Sequence, residues 1–230
     1  MTPTARARRT RSGGLPPVLL PFAGLALLFL LVPVAGLLLR APWRSLAEVL
    51  SRPDSLDALR LSLVAASLAT VLCVLLGVPL AWVLARASFP GRGVLRAFVV
   101  VPLVLPPVVG GVALFTALGR RGFVGRPLDE LFGVSLPFTT PAVVIAETFV
   151  ALPFLVLAVE GALRGADQRF EEAAATLGAT RWYTFRRVTL PLVAPGVLAG
   201  AVLSWARALG EFGATITFAG SFPGTTRTMP

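Results

Sequence analysis

The sequence contains no lysine and no histidine; all 21 of its basic residues are arginine. Without lysine, a G-x-x-x-x-G-K-[ST] phosphate loop cannot be built, so the chain has no Walker-type nucleotide site of its own. Without histidine, and with a single cysteine (Cys73) inside an apolar run, the common metal centres, Cys–His nucleophile pairs and a disulfide framework are all excluded. Charge is also scarce, at 14% of residues against about 25% in an average soluble domain. The few acids inside apolar stretches lack a spaced partner suited to acid–base catalysis.

What remains is apolar. Hydrophobic residues make up 56% of the 230 positions, and the mean hydropathy is +0.83. A net charge of +10 would point to nucleic acid in a soluble protein. Here the arginines cluster at the edges of apolar runs, where positive residues orient a membrane protein. The expected fold is therefore all-α: a polytopic membrane helical bundle that contacts lipid and no nucleic acid.

Residues 1–14 read as a basic N-terminal segment, with Arg6, Arg8, Arg9 and Arg11. Residues 15–39 are uncharged and roughly 37 Å long as a helix, enough for a first transmembrane span and too long for a signal-peptide core. The mixed-charge interval that follows ends in PDSLDALR, a type expected as a short interfacial helix. Span two covers 61–85. Span three, from Ala97 to about Leu118, holds Pro102, Pro106, Pro107 and Gly110-Gly111. Such breaks persist in a membrane where neighbouring helices or a water-filled cavity satisfy the freed carbonyls. They suit a kinked, pathway-lining or hinge helix, or equally close packing at small residues.

Span four, about 139–163, carries Glu147 and Glu160. Glu160 lies a turn from Arg164 and reads as an interfacial, solvated acid, whereas Glu147 lies deeper, for burial against a helix or for transport. Span five begins near Leu190. The loop between spans two and three is purely basic, and the loop between four and five is arginine-rich. Both are expected on the cytoplasmic side, with the N-terminus, in a multi-pass protein of the cell membrane.

The longest charge-rich interval between two spans is residues 164–191, RGADQRFEEAAATLGATRWYTFRRVTLP. Phe170, Ala173, Ala174 and Leu177 recur at helical spacing and predict one apolar face. Asp167 suits an N-cap and Gly178 a C-cap, giving a helix of about three turns. A second short helix is expected over Arg181 to Val188, after Thr180. These helices are too short and charged to cross a bilayer, which places them on its surface or in a partner's groove.

Glu172-Ala173-Ala174, Gly178, Val188 and Leu190-Pro191 resemble the E-A-A-x-x-x-G, nine free residues, I-x-L-P loop of bacterial ABC importer permeases, with Val in place of Ile. The segment SWARALGEFGATITFAG further on resembles the fifth helix of molybdate and sulfate permeases. PGTTRT and the stretch LVLPPVVGGVAL…LGRRG resemble the molybdate branch more closely. The resemblance covers residues 56–230, which are read as the permease domain. Members of this family carry a sixth span after T-R-T-x-P. Five are visible before Met229-Pro230, so a truncated sequence is expected.

The resemblance implies a homodimeric permease, a separate ATP-binding cassette subunit and an extracytoplasmic oxyanion-binding protein, with molybdate as substrate and sulfate, thiosulfate or tungstate as alternatives. It implies neither an enzyme activity in this chain nor a cofactor. The residues expected to couple to the ATPase are Phe170, Glu172, Ala173, Ala174, Leu177, Gly178, Arg181, Leu190 and Pro191. Weaker pathway or gate candidates are Pro106, Pro107, Arg207, Gly210, Glu211 and Thr215. Arg207 and Glu211, four apart, share a helix face and can pair. They either staple the bundle or line the route. Readings of another class are an ion-coupled secondary transporter, which would need coupling carboxylates and often an internal repeat, and a structural membrane anchor.

Overall fold

A computed structural model describes residues 18–229. The chain forms two units, Met1–Leu50 and Ser51–Pro230, and every regular element among the described residues is helical. In the first unit, α1 (Leu19–Arg40) is a 22-residue helix apolar around its whole circumference, with a mean hydropathy of 2.6. A short α2 (Leu46–Leu50) follows. The basic segment 1–14 and the start of the first expected span lie outside the described residues.

The second unit is built on three long helices, α3 (Pro53–Arg86), α7 (Thr140–Gly165) and α10 (Leu190–Leu209). The segment PDSLDALR is not a separate interfacial helix. It is the first part of α3, which starts at Pro53 in the N-terminal turn, where proline costs no hydrogen bond, and runs unbroken for 34 residues. At 1.5 Å per residue α3 is about 51 Å long, well beyond a hydrocarbon core of about 30 Å.

The three helices pack through small side chains. On α3, Ala65, Ala69, Cys73, Gly77 and Ala81 recur every fourth residue and are all buried. On α10, Gly196, Gly200, Ser204 and Ala208 recur at the same spacing, the last three buried and Gly196 half-buried, and α7 lies between these two stripes. A Cβ on Gly77 would come within 2.6 Å of Leu155, and one on Gly200 within 3.1 Å of Ala158 and 3.3 Å of the Leu155 backbone. Lipid tails are as apolar as leucine, so helices gain by close backbone approach rather than by leaving water, and spaced small residues permit it. Polar groups seal the seams: Ser204 Oγ donates to the Ala151 carbonyl at 3.1 Å, and Cys73 Sγ to that of Thr148 at 3.7 Å. These contacts make α3 parallel to α7 and α10 antiparallel to it.

The third expected span is not one helix. It divides into α4 (Arg92–Val104) and α5 (Pro107–Leu118), bent by 118°. Each proline disfavours the α region for the residue before it, and Leu105 (ψ 133°) and Pro106 (ψ 136°) are accordingly extended. The stretch is kinked and also packs closely at small residues, because Gly110 and Gly111 are buried in helix contacts. A short amphipathic α6 (Gly125–Phe132) follows. The fifth span is broken too: α10 ends at Leu209, and a six-residue α11 (Gly213–Phe218) resumes after three residues. Among the described residues, four helices are thus long and apolar enough to cross a membrane, and α4 with α5 would make a fifth crossing as one broken span.

Candidate functional site

Two regions carry the residues singled out above. The first is the hairpin between α7 and α10. Asp167 Oδ1 accepts from the Arg169 amide at 3.0 Å, and α8 (Arg169–Thr176) runs for 8 residues, shorter than the expected three turns. Its end is a Schellman turn: Gly178 N–H donates to Ala175 and Ala179 N–H to Ala174, both at 3.0 Å. Gly178 has φ +82°, which explains glycine at this position. Thr180 then caps α9 (Arg181–Thr184), its hydroxyl accepting from the Tyr183 amide at 3.3 Å.

The second short helix does not stop at Val188. A π-helical turn, Phe185–Thr189, joins α9 to α10 without a break, so the expected boundary at Leu190-Pro191 lies inside a continuous helix. Pro191 supplies the reason. It has no N–H to donate, and its ring would collide with the carbonyl four residues back, so the preceding turn widens and Leu190 N–H reaches Phe185. Leu190 packs against the core while Pro191 is exposed.

Phe170, Ala173, Ala174 and, at its C-terminal end, Leu177 share a face of α8 that the described residues leave largely uncovered. Leu177 is 88% exposed, Trp182 68% and Phe170 57%. A concavity of about 590 Å³ runs between Ala174, Leu177, Tyr183 and Val188. Arg181 lies at the start of α9, beside Trp82 and Phe185. Glu172 points outward, and its carboxylate meets no partner among the described residues.

Its neighbour behaves oppositely. Glu171 Oε1 accepts from Arg86 Nη2, at the end of α3, at 3.0 Å, and from the Thr189 hydroxyl at 3.2 Å. Glu171, Arg86 and Thr189 were not singled out in the sequence, where two adjacent glutamates cannot be told apart without knowing which helix face meets the bundle. Glu160 corrects an expectation: far from solvated, its side chain is 2% exposed. It holds Arg164 at 2.6 Å and, across the bundle, Arg96 of α4 at 3.5 Å.

The second region is where the two broken spans meet. Arg207 and Glu211 form the expected ion pair at 2.5 Å, with Glu211 only 1% exposed. The helix ends between them and a second task appears, because Glu211 Oε1 accepts from the Ala214 amide at 2.7 Å and so caps α11. Gly210 lies in the break itself, at the end of α10. Around it α5 and α11 touch nearly backbone to backbone. A Cβ on Gly111 would be 2.7 Å from the Ala214 carbonyl oxygen, and one on Gly213 2.8 Å from Pro107. Pro106 and Pro107 therefore break α4 from α5 against the very segment where Gly210 and Glu211 break α10 from α11.

Thr215 and Glu147 are buried beside this junction, and Thr215 Oγ1 and Glu147 Oε2 have no hydrogen-bond partner among the described residues. The segment after α11 is pinned at the same end of the bundle. Thr140 donates to the Thr225 carbonyl at 2.9 Å, and Met229 N–H donates to Ser62 Oγ at 2.8 Å. No group of three or more metal-ligating side chains occurs among the described residues.

Residues 77–230 match the family described as binding-protein-dependent transport system inner membrane component. The chain is 53% identical over 206 residues to the molybdenum transport system permease protein ModB of Mycobacterium tuberculosis, covering 89% of this chain and 77% of that one. Against ModB of Escherichia coli it is 47% identical over 174 residues, 76% of each chain. Against the sulfate transport system permease protein CysT of Escherichia coli it is 37% identical over 197 residues, covering 84% and 71%. Among solved structures, a bacterial ABC transporter that imports the acidic polysaccharide alginate superposes with a TM-score of 0.65 at 21% identity, covering 84% of this chain and 72% of that one. An all-helical chain of apolar spans with an exposed hairpin at the E-A-A residues thus has relatives along most of its length: it belongs to the family of binding-protein-dependent transport system inner membrane components.

Proposed function

We propose that this chain is the membrane-spanning permease of an ATP-driven importer for an oxyanion, molybdate, working as a homodimer with a separate ATP-binding cassette subunit and an extracytoplasmic binding protein. The observation that carries the reading is the uncovered apolar face of α8 and α9, with Phe170, Leu177, Trp182 and Tyr183 all more than half exposed at one end of a membrane bundle. Exposed apolar surface rimmed by charge marks a protein contact, and a short amphipathic helix fits a partner's groove. The bundle has no lysine for a nucleotide loop, so ATP is hydrolysed by the partner.

In this reading Phe170, Ala173, Ala174 and Leu177 bury in the ATPase groove, with Glu172 and Arg181 at its rim. The hairpin end is cytoplasmic, as is the N-terminus. Arg86, Arg92, Arg96, Arg164, Arg169, Arg181, Arg186 and Arg187 all gather at that end, as the positive-inside rule requires. Closure of two ATPase subunits on ATP tilts the hairpins as rigid bodies. The α5–α11 junction, with Pro106, Pro107, Arg207, Gly210, Glu211 and Thr215, is the gate because it is where both chain breaks meet. Molybdate is preferred because the molybdenum-permease relatives stand at 45–53% identity and the sulfate permease at 37%.

The test is uptake of radiolabelled molybdate by the complete complex in liposomes, with ATP inside and loaded binding protein outside. ATP-dependent accumulation that sulfate at equal concentration leaves intact supports molybdate. Inhibition by sulfate moves the assignment to the sulfate branch. Accumulation driven by an ion gradient without the ATPase would replace the reading altogether.

A further inference from the structure

We propose that Glu171 is the strut through which movement of the coupling helix reaches the bundle, pushing on Arg86 at the end of α3 and on Thr189 at the π turn below α10. This rests on the ATPase-driven reading above and names the residue that transmits the stroke, as distinct from those that bind the motor.

Helix α8 has little else to push with. At 8 residues it is too short to be stable alone, and none of its residues is buried. Among the described residues Glu171 is its only side chain hydrogen-bonded to another element. The other face of α8 is the one left open for the partner. A rigid-body displacement imposed on that face would leave the helix sliding over the bundle unless a directed contact held it.

Glu171 provides that contact in two directions. Its carboxylate is 23% exposed and the Arg86 side chain 10%, so water screens the pair weakly. Arg86 has no other ionic partner among the described residues, and its Nε is buried without a hydrogen bond. Thr189 is 1% exposed and sits in the π turn, so the same oxygen also grips the entry of α10. A single carboxylate oxygen thus joins the coupling helix to both long helices that flank α7.

The far side of the same loop is held differently. Arg96, at the start of α4, is tied by Glu160 to α7 rather than to α8. A push through Glu171 therefore moves the end of α3 relative to the start of α4, across the short connection of residues 87–91. Helix α4 leads directly to the Pro106 break, so relative movement there is delivered to the α5–α11 junction.

The test uses the complete complex in liposomes, reading two quantities: ATPase subunit retained on purification, and molybdate transported per ATP hydrolysed. For Glu171→Gln the ATPase is retained while transport per ATP falls about tenfold, the scale of losing one charge-assisted hydrogen bond. Arg86→Gln behaves alike, and the exchanged pair Glu171→Arg with Arg86→Glu recovers part of the loss, which a merely structural defect would not do. Thr189→Val removes one contact at nearly constant volume and lowers the ratio about threefold, providing a readout if the charge variants fold poorly. Native transport per ATP in both Glu171→Gln and Thr189→Val overturns the proposal, as does loss of the ATPase subunit from both. Failure of the native complex to couple uptake to ATP would instead defeat the parent reading, so the two failures are distinguishable.

Discussion

Glycine and other small residues serve two different ends in this molecule, and the contrast separates its continuous helices from its broken ones. In α3 and α10 they lie on continuous helices at every fourth position, where they let these rods approach α7 closely. At the junction of α5 and α11 they sit beside chain breaks, so two short helices press together without a long rod to hold either. The first arrangement resists deformation, since shifting one stripe residue disturbs a whole seam. The second has breaks in the helices at Leu105–Pro106 and at Gly210–Phe212, the kind of element end where hinges form. In the proposed reading the broken helices form the gate, and α7, packed on both sides, is the frame it works against.

The sharpest way to break this comparison is to overfill a stripe. At Gly200 a side chain would meet the Leu155 backbone at 3.3 Å, and backbone cannot step aside as a flexible side chain can. Gly200→Leu is expected to destabilise the bundle by about 3 kcal/mol or to prevent its accumulation in the membrane. Thermal unfolding in detergent, followed by exposure of buried Cys73 to a thiol reagent, measures it. Native-like unfolding would mean that the α7–α10 seam is loose and that the frame lies elsewhere.

A smaller effect is expected at the junction, through charge instead of volume. Arg207→Met leaves Glu211, 1% exposed, without its ionic partner. Breaking a buried pair on one side is costly, but the Arg207 side chain is 27% exposed, and solvent reduces the loss to about 2 kcal/mol. Glu211→Gln should be milder, because an amide oxygen can still accept from the Ala214 amide and keep α11 capped. If both substitutions leave stability unchanged but reduce uptake, the pair belongs to the route and not to the frame.

Much of this contrast could be read in the sequence, and its limits have physical causes. Uninterrupted apolar runs located α1, α3, α7 and α10 because hydropathy and length alone decide whether a helix can cross a bilayer. Gly178 was readable because a left-handed residue after a helix has a strong sequence signature. The proline and glycine run marked a break in span three, but neither its 118° angle nor its meeting with a second break could be inferred, since both depend on contacts between distant segments. Glu160 looked solvated because its sequence neighbour is an arginine at a span end. It is buried, and Arg96, from a helix remote in sequence, pairs with it across the bundle. Pro191 signalled a boundary, whereas the chain accommodates it with one widened turn, a solution that hydrophobic periodicity does not encode.

The smallest effect on stability is expected where the exposed surface is greatest, and it sharpens the comparison from the other side. Leu177 is 88% exposed and immediately precedes the Schellman glycine. Replacing it with serine removes apolar surface from water, not from a core, so the unfolding midpoint in detergent should move by less than the equivalent of about 0.5 kcal/mol. Association with the ATPase subunit should nevertheless weaken about thirtyfold, because a leucine buried on binding contributes roughly 2 kcal/mol of apolar transfer. Co-purification of the two subunits and the unfolding curve of the permease alone, measured on the same preparation, separate these outcomes. A residue that matters to neither would leave the hairpin without a role. One that matters to stability alone would make α8 part of the frame, and the line between rigid bundle and driven hairpin would have to be redrawn between α8 and α9.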